Sequence, residues 1–516
     1  MDASGSSGSL LLSLTWLAPL ASAFILMAIP AYKLAVVRRF TLAVNAAVLA
    51  LIVYLGTLFA LHPPTAPSGS SVTALAFAAK LPWFPSLNIH YQVGVDAISM
   101  SLMFLAAVIV FTGTLASWNI EADQNGPHGS GGKAKEFFIL LQLLAAGVFG
   151  SFISFDLFTF FVFNELTLIP TYLLIGLFGS GRKSYAAMKL NLMLMGGSAL
   201  ILVGIFGLFF QSGIRSFDIL ELSQVHFDAG FQRWAFPSLF LGFGILGNMF
   251  PFHIWSPDGH ASAPTAISML LAGVHMKLGS YGCLRIAMYL LPEGAREWMD
   301  VFLVLAAAGT VWGAFVAAKQ KDLKYLNAYA SVSHCGLVFL GLAVFTAIGL
   351  RGAVLQMLAH GFITAAMFCL IGMIYSRTHT RQIPDMGGLM AKMPFLGVGF
   401  VLAGFAALGL PGMAGFMAEL NIFLGGFSSE RVLPRLCTAA ALTSIVVAAV
   451  YVLRATNSIL NGPERAGNAT LTDATWVEKA PVALLIACIL AIGLYPGPLV
   501  SLVDGALQPI LNNLNR

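Results

Sequence analysis

Long apolar runs repeat along the whole chain, and short polar segments separate them. A helix needs about 20 predominantly apolar residues to cross the hydrocarbon core of a bilayer. By this criterion the pattern predicts an all-α polytopic membrane protein with about fourteen transmembrane helices in a single domain, residues 1–516. The predicted spans start at Leu10, Thr41, Ser99, Phe137, Leu157, Met188, Pro237, Ile267, Met299, Leu326, Gly352, Phe395, Thr438 and Ala480.

The composition supports a membrane protein and argues against several other classes. Hydrophobic residues make up 58% of the chain and charged residues only 9%, whereas about a quarter of a soluble chain is charged. The net charge of +5 comes from basic residues placed singly between apolar runs, which argues against nucleic-acid binding. The five cysteines lie in or beside apolar runs without a CxxC pair, so we expect no metal site and no disulfide.

The distribution of positive charge predicts the orientation, because cytoplasmic loops carry an excess of lysine and arginine. Seventeen basic residues fall in one set of alternate loops and nine in the other, while Lys277 lies inside a span. The sequence therefore predicts a multi-pass protein of a bacterial inner membrane with both termini on the non-cytoplasmic side. Two of the separating segments, His62–Ser71 and Asn125–Gly132, have the Gly, Pro and Ser content of loops.

Several ionisable residues lie where lipid would otherwise surround the chain. Glu165, Lys277 and Glu419 fall in spans 5, 8 and 12, and His334 and His360 in spans 10 and 11. A charged residue at the centre of a bilayer costs about 2.5–3.5 kcal/mol on insertion scales, so such residues indicate a proton or ion pathway. The alternatives are structural: a buried ion pair for the carboxylate and the lysine, and interhelical hydrogen bonds for the histidines.

Helix-breaking residues interrupt two spans that are five apart. Span 7 contains Pro251, Pro257 and Pro264, and span 12 contains Pro411 between glycines. Broken helices at corresponding positions of two halves are typical of transporters built from inverted repeats. The spacing predicts two inverted five-helix repeats, spans 4–8 and 9–13, although two unrelated proline kinks would give the same pattern.

A set of motifs in this order resembles the antiporter-like subunits of respiratory complex I, most closely the M type, which is called chain four in mitochondria and has a plastid counterpart. The resemblance extends from about Gly94 to Phe427 and favours the M type over the related L and N subunits. The matching segments are GVDAIS at 94–99, NELTLIPTYLLIGLFG at 164–179, PFHIWSPDGHASAPTAISMLLAGVHMKLGSYGCLR at 251–285, KQKDLKYLNAYASVSHCGLVFLGL at 319–342, QMLAHGFITAAMFCLIG at 356–372 and LGLPGMAGFMAEL at 408–420.

The resemblance implies a membrane-arm subunit of a proton-translocating NADH:quinone oxidoreductase. It implies that Glu165 is the span-5 carboxylate, Lys277 the span-8 lysine and Glu419 the exit residue of proton translocation. His334 and His360 would form the polar axis between that lysine and the exit residue. NADH, FMN, iron–sulfur clusters and quinone would belong to partner subunits, including L- and N-type antiporter-like subunits, and this chain would hold no cofactor or redox centre.

One position departs from the family pattern. The family's span-7 lysine, the ion-pair partner of the span-5 glutamate, corresponds here to Leu246. Three explanations are open: a paralogue with weak or absent pumping, a basic group elsewhere such as Lys189 or one on another subunit, or direct pairing of Glu165 with Lys277. The departure also keeps other functions open, namely a subunit of a membrane hydrogenase, of an Mrp-type cation/proton antiporter or of a carbon dioxide uptake complex, or a non-pumping structural subunit.

Overall fold

Eleven of the predicted spans are continuous helices in the computed structural model, which describes residues 6–64, 69–120, 133–463 and 471–515. The loop Asn125–Gly132, residues 65–68, and Arg465 and Arg516 of the charge count lie outside the described residues. The continuous spans are 1 (Ser6–Ala28), 2 (Leu34–Leu61), 3 (Ala97–Ala116), 4 (Ala134–Ile153), 5 (Leu157–Phe178), 6 (Lys183–Gln211), 9 (Pro292–Lys319), 10 (Leu323–Ala343), 11 (Ala347–Thr378), 13 (Val432–Leu460) and 14 (Trp476–Leu494).

Three further predicted spans are interrupted in the described residues. Span 7 consists of Ala229–Leu246 and Trp255–Ser262, and span 12 of Pro394–Ala407 and Ala414–Phe427. The predicted breaks at Pro251 and Pro411 are confirmed, whereas Pro257 lies in the first turn of a helix, where proline is tolerated, and Pro264 precedes span 8. Span 8 alternates α-helix at Thr265–Leu270 and Met276–Gly282 with π-helix at Leu271–His275 and Cys283–Met288.

Some predicted boundaries are wrong because helices extend beyond the apolar core. Span 7 begins at Ala229 instead of Pro237, and span 9 begins at Pro292 instead of Met299. In span 9 the extra turns carry charged side chains, so hydropathy alone places the start too late. Helix ends that extend into the membrane–water interface carry polar residues, so a search for apolar runs does not include them.

A hairpin and an amphipathic helix cover one end of the bundle, and neither was predicted. The antiparallel strands β1 (Ala76–Phe84) and β2 (Ile89–Val95) precede span 3, and the helix Gly497–Leu514 follows span 14. Their apolar stretches are short or one-sided, so they give no transmembrane signal. We call this end of the bundle the hairpin face.

An ion pair joins the hairpin face to the interior. Asp96 caps the start of span 3 by accepting a hydrogen bond from the Ser99 backbone N–H at 2.9 Å, and the same carboxylate binds Arg285 of span 8. Both charged residues are almost fully buried. Tyr289, one turn after Arg285, donates a hydrogen bond to the Ser71 carbonyl at 2.5 Å. The end of span 8 is therefore fixed against the hairpin and the start of span 3.

Spans 10 and 11 form the centre of the bundle. In each of them 94% of the most apolar window is buried, compared with 33% in span 1 and 28% in span 2. Glycines allow close packing here, since a Cβ on Gly336 would lie 2.7 Å from the backbone N of Thr310 in span 9. The two predicted histidines, His334 and His360, therefore lie deep inside the protein.

A second charged cluster on the hairpin face lies outside the membrane-spanning segments. The Lys80 ammonium on β1 contacts Asp218 and Glu221 at 2.7 Å each, and Ser216 donates to Glu221 at 2.6 Å. Burial disfavours the charge on Lys80, but hydrogen bonds to the two carboxylates outweigh it and raise its pKa above the ordinary value. Burial alone would raise the pKa of Glu221, yet the hydrogen bonds from Lys80 and Ser216 lower it.

This cluster predicts a pH-dependent contribution to stability. Because the pKa of Glu221 is lower in the folded than in the unfolded chain, its contribution is present at neutral pH and is lost as the pH falls through the folded value. Because the pKa of Lys80 is raised in the folded chain, its contribution to stability persists at neutral pH. That contribution is lost as the pH rises through the pKa of Lys80 in the folded chain. We expect acidification from about pH 6 to about pH 3 to lower the melting temperature less steeply in Lys80→Met than in the wild type.

Lys33→Met is the matched control for that measurement. Lys33 is an exposed lysine whose ammonium lies 5.9 Å from the Tyr32 ring centroid, away from the Lys80 cluster. Its replacement should leave the acid slope of the melting temperature at the wild-type value. Equal slopes for Lys80→Met and the wild type would contradict the assignment.

Candidate functional site

Lys277 lies in span 8 directly after a π-helical segment and is 2% exposed. Its ammonium donates to the Ala272 carbonyl at 2.5 Å and lies 2.6 Å from Nδ1 of His360 in span 11. A π-helical segment widens the helix and is frequent at functional sites. Among the residues that the structure describes, no carboxylate lies within salt-bridge distance of this ammonium. Lys277 is therefore held by a carbonyl and an imidazole.

The two predicted histidines lie side by side and lead towards span 12. The ring centroids of His360 and His334 are 5.4 Å apart. Nδ1 of His334 lies 3.5 Å from Oε1 of Glu419 and 3.3 Å from Nε2 of Gln356. The Nε2 atoms of both histidines are buried without a hydrogen-bond partner in the described part of the chain. Four predicted residues, Lys277, His360, His334 and Glu419, thus form one chain of titratable groups.

Glu419 lies in the second half of span 12, close to the break. Gly409, in the break, has φ of +67°, and a Cβ added to it would lie 2.4 Å from Oε2 of Glu419. The carboxylate therefore packs directly against the backbone of the broken segment. Tyr451 of span 13 interacts electrostatically with Glu419, and its buried hydroxyl has no partner among the described residues. Tyr451 was not predicted from the sequence, because a single tyrosine in an apolar span forms no pattern.

His260 is a second residue that the sequence analysis missed. It lies in the second half of span 7, is fully buried and stacks on Phe368 with ring centroids 5.2 Å apart. Both ring nitrogens lack a hydrogen-bond partner within the described residues. It interacts electrostatically with Lys277 and His360. The signal that could have identified it was its place beside the proline-rich break of span 7.

Glu165 lies apart from this chain of groups. It is half-buried in span 5, where Ser198 of span 6 interacts with its carboxylate. Its Oε1 atom has no partner among the described residues. Ile169, one helical turn further on, is 66% exposed, so this side of span 5 faces outward.

Within the described residues, neither Lys189 nor Lys277 is the partner that replaces the missing lysine. Lys189 binds Asp258 at 2.7 Å, so it does not replace the span-7 lysine as the partner of Glu165. Direct pairing of Glu165 with Lys277 is also contradicted, because Lys277 lies against His360. Leu246 itself is a buried apolar residue at the end of the first half of span 7.

Comparisons with known proteins identify the family of the chain. A family model described as NADH:quinone oxidoreductase/Mrp antiporter, transmembrane region, matches residues 154–446. The chain is similar to NAD(P)H-quinone oxidoreductase chain 4 of a Synechococcus strain, with 35% identity over 94% of this chain and 90% of the relative. A chain of respiratory complex I from Thermus thermophilus with bound NADH matches with a TM-score of 0.86 and 27% identity over 98% and 99% of the two chains.

A chain of the Mrp complex from a Dietzia species has the same fold. Its TM-score is 0.81 at 21% identity, over 98% of this chain and 99% of that chain. These full-length matches confirm the predicted helical membrane architecture.

The contact between Gly409 and Glu419 generates a prediction. Gly409→Ala would introduce a Cβ that overlaps the carboxylate, and it would strain a left-handed backbone by about 1–2 kcal/mol. We expect the infrared carboxyl band that disappears in Glu419→Gln to shift in Gly409→Ala. Gly412→Ala is the control, because its φ of +89° imposes similar strain while its Cβ would meet only Leu494, at 3.6 Å. Equal shifts in both variants, or none in Gly409→Ala, would contradict the contact.

Proposed function

Because the chain belongs to the NADH:quinone oxidoreductase/Mrp antiporter family of transmembrane subunits, we propose that it is a proton-translocating membrane-arm subunit of a complex I-like NAD(P)H:quinone oxidoreductase. The observation that carries the proposal is the buried chain of titratable groups from Lys277 through His360 and His334 to Glu419. The residues 94–427, which hold these groups, would be the proton-translocating core.

The chemistry of the groups suits stepwise proton transfer. A lysine ammonium in direct contact with an imidazole can give it a proton across the 2.6 Å that separates Lys277 from His360. Imidazole can gain and lose a proton near neutral pH. The longer separations, 5.4 Å between the histidine rings and 3.5 Å from His334 to Glu419, suit transfer through bridging water. The unpartnered Nε2 atoms of both histidines offer binding sites for such water.

The orientation follows from charge and from the position of the hairpin face. Seventeen basic residues in one set of loops against nine in the other favour a cytoplasmic location for the end opposite the hairpin face. The hairpin face and both termini would then lie on the non-cytoplasmic side of a bacterial inner membrane. Protons would move from the cytoplasmic side through Lys277 and leave from Glu419.

Leu246 changes how the proton chain is controlled. A leucine cannot form an ion pair, so any cation that controls Glu165 must come from outside the described residues or from another subunit. The outward position of Glu165 between spans 5 and 6 supports a neighbouring antiporter-like subunit of L or N type as the source. Electron transfer, with NADH, flavin, iron–sulfur clusters and quinone, would take place in partner subunits.

A second candidate function is a subunit that supports the membrane arm without pumping. Its supporting observation is Leu246, which removes a charge that the family uses for coupling. The two candidates differ in what they require of Lys277. In a structural subunit, the protein only has to accommodate the buried ammonium of Lys277. In a pump, Lys277 has to exchange protons.

Lys277→Ala distinguishes the two candidates. We expect the variant to assemble into the complex, because the mutation removes a charged group from the interior and leaves span 8 helical. Proton uptake driven by NADH oxidation in proteoliposomes should fall by about tenfold or more, since a positioned proton-transfer group contributes about 10²–10⁴-fold to a rate. The measurement is the initial rate of uptake together with quinone reduction in the same vesicles.

Lys183→Ala serves as the control for this experiment. Lys183 lies at the start of span 6 and donates to the Leu177 carbonyl at 2.9 Å, away from the buried groups. It should retain the wild-type rate of proton uptake. Unchanged pumping and turnover in Lys277→Ala would contradict the pumping function and favour the structural one.

A further inference from the structure

Three consecutive carbonyls at the end of span 7 are each capped by a different part of the chain. Arg381 donates to the Ala261 carbonyl at 2.7 Å, the backbone N–H of Ser180 to the Ser262 carbonyl at 2.8 Å, and Lys324 to the Ala263 carbonyl at 2.7 Å. The last carbonyls of a helix lack intrahelical partners and carry negative partial charge, so cations stabilise them.

The two cations at this helix end have different surroundings. Arg381 is 22% exposed, and its guanidinium also lies 3.3 Å from the carboxylate of Asp322. Lys324 is 5% exposed, and in the described residues the Ala263 carbonyl is the only hydrogen-bond acceptor of its ammonium. The Asp322 carboxylate accepts instead from the backbone N–H of Lys324, at 2.8 Å.

Capping alone does not account for Lys324. An ammonium group has three donors, and a buried charge with one partner is costly. An arginine already caps the neighbouring carbonyl at lower cost, because it reaches both water and a carboxylate. A lysine differs from an arginine in one relevant property: it can release its proton, whereas arginine stays charged.

His260 belongs to the short helix whose end Lys324 caps. It lies in the last turn of the short helix Trp255–Ser262, and Ala263, whose carbonyl Lys324 binds, directly follows that helix. The imidazole interacts electrostatically with both Lys324 and Lys277. Its two unpartnered ring nitrogens leave it able to accept a proton on one side and release one from the other.

We propose that Lys324 loads protons from the cytoplasmic side onto Lys277 by way of His260. The inference rests on the proposed function, since it adds an uptake step to the same pathway. The charged and titratable groups around Lys324 that take part in its electrostatics are Arg381, Asp322 and His260. Leu246 of span 7 has no titratable side chain and takes no part in this step.

The step conserves protons. The Lys324 ammonium transfers one proton to a ring nitrogen of His260, and the other ring nitrogen releases one proton towards neutral Lys277. The net change is loss of one proton from Lys324 and gain of one by Lys277. A proton from the cytoplasmic water then restores the Lys324 ammonium, so no other reactant is needed.

Lys324→Arg separates loading from capping. The arginine keeps the positive charge and can still donate to the Ala263 carbonyl, but it cannot release a proton. In the whole complex in proteoliposomes, we expect NADH-driven proton uptake to fall by about tenfold. Arg381→Lys, which exchanges the same two residue types at the neighbouring carbonyl, should retain the wild-type rate.

The outcomes distinguish this inference from the function on which it rests. A wild-type rate of uptake in Lys324→Arg, combined with a strong loss in Lys277→Ala, would overturn the loading role and leave the proposed function standing. Wild-type rates in both variants would overturn both. Equal losses in Lys324→Arg and Arg381→Lys would overturn the loading role, because an exchange of either basic residue at this helix end would then have the same effect. Loss in Lys324→Arg alone, with normal assembly of the complex, would support the loading role.

Discussion

An ammonium group in the middle of a membrane-spanning helix has to be solvated by protein atoms, because lipid tails have no hydrogen-bond acceptors. In this protein that requirement falls on Lys277, and the structure meets it without a carboxylate among the described residues. The π-helical segment before Lys277 brings the Ala272 carbonyl to its ammonium, and span 11 supplies His360. The central position of spans 10 and 11 follows from the same requirement, since they carry the histidines that continue from Lys277 to Glu419.

The two broken spans serve these buried groups in different ways. In span 12 the break places Gly409 against the Glu419 carboxylate. In span 7 the break produces a short helix that contains His260 and whose last carbonyls are capped from three other parts of the chain. Interruption of the helix therefore leaves polar backbone groups in both spans, and other parts of the protein satisfy them.

Much of the fold could be predicted from sequence, because lipid demands long apolar helices. The helical spans and the breaks at Pro251 and Pro411 followed from hydropathy and proline alone. The hairpin and the C-terminal helix did not, since short or one-sided apolar stretches leave no transmembrane signal. The candidate site was predicted less completely. Charges inside apolar runs identified Lys277 and Glu419, but no pattern in one sequence tells which side chains meet across helices. His260 and Lys324 were overlooked because one lies beside a helix break and the other next to a loop rich in basic residues.

In the proposed proton pathway, His360 joins Lys277 to His334 and Glu419. This link is tested most directly by the proton-to-electron ratio of the reconstituted complex with His360→Leu, alone and combined with Lys277→Ala. Groups that act in sequence on one pathway are not additive. If His360 joins Lys277 to Glu419, His360→Leu lowers the ratio and the double variant has the same ratio as either single variant. A wild-type ratio in His360→Leu would contradict this link.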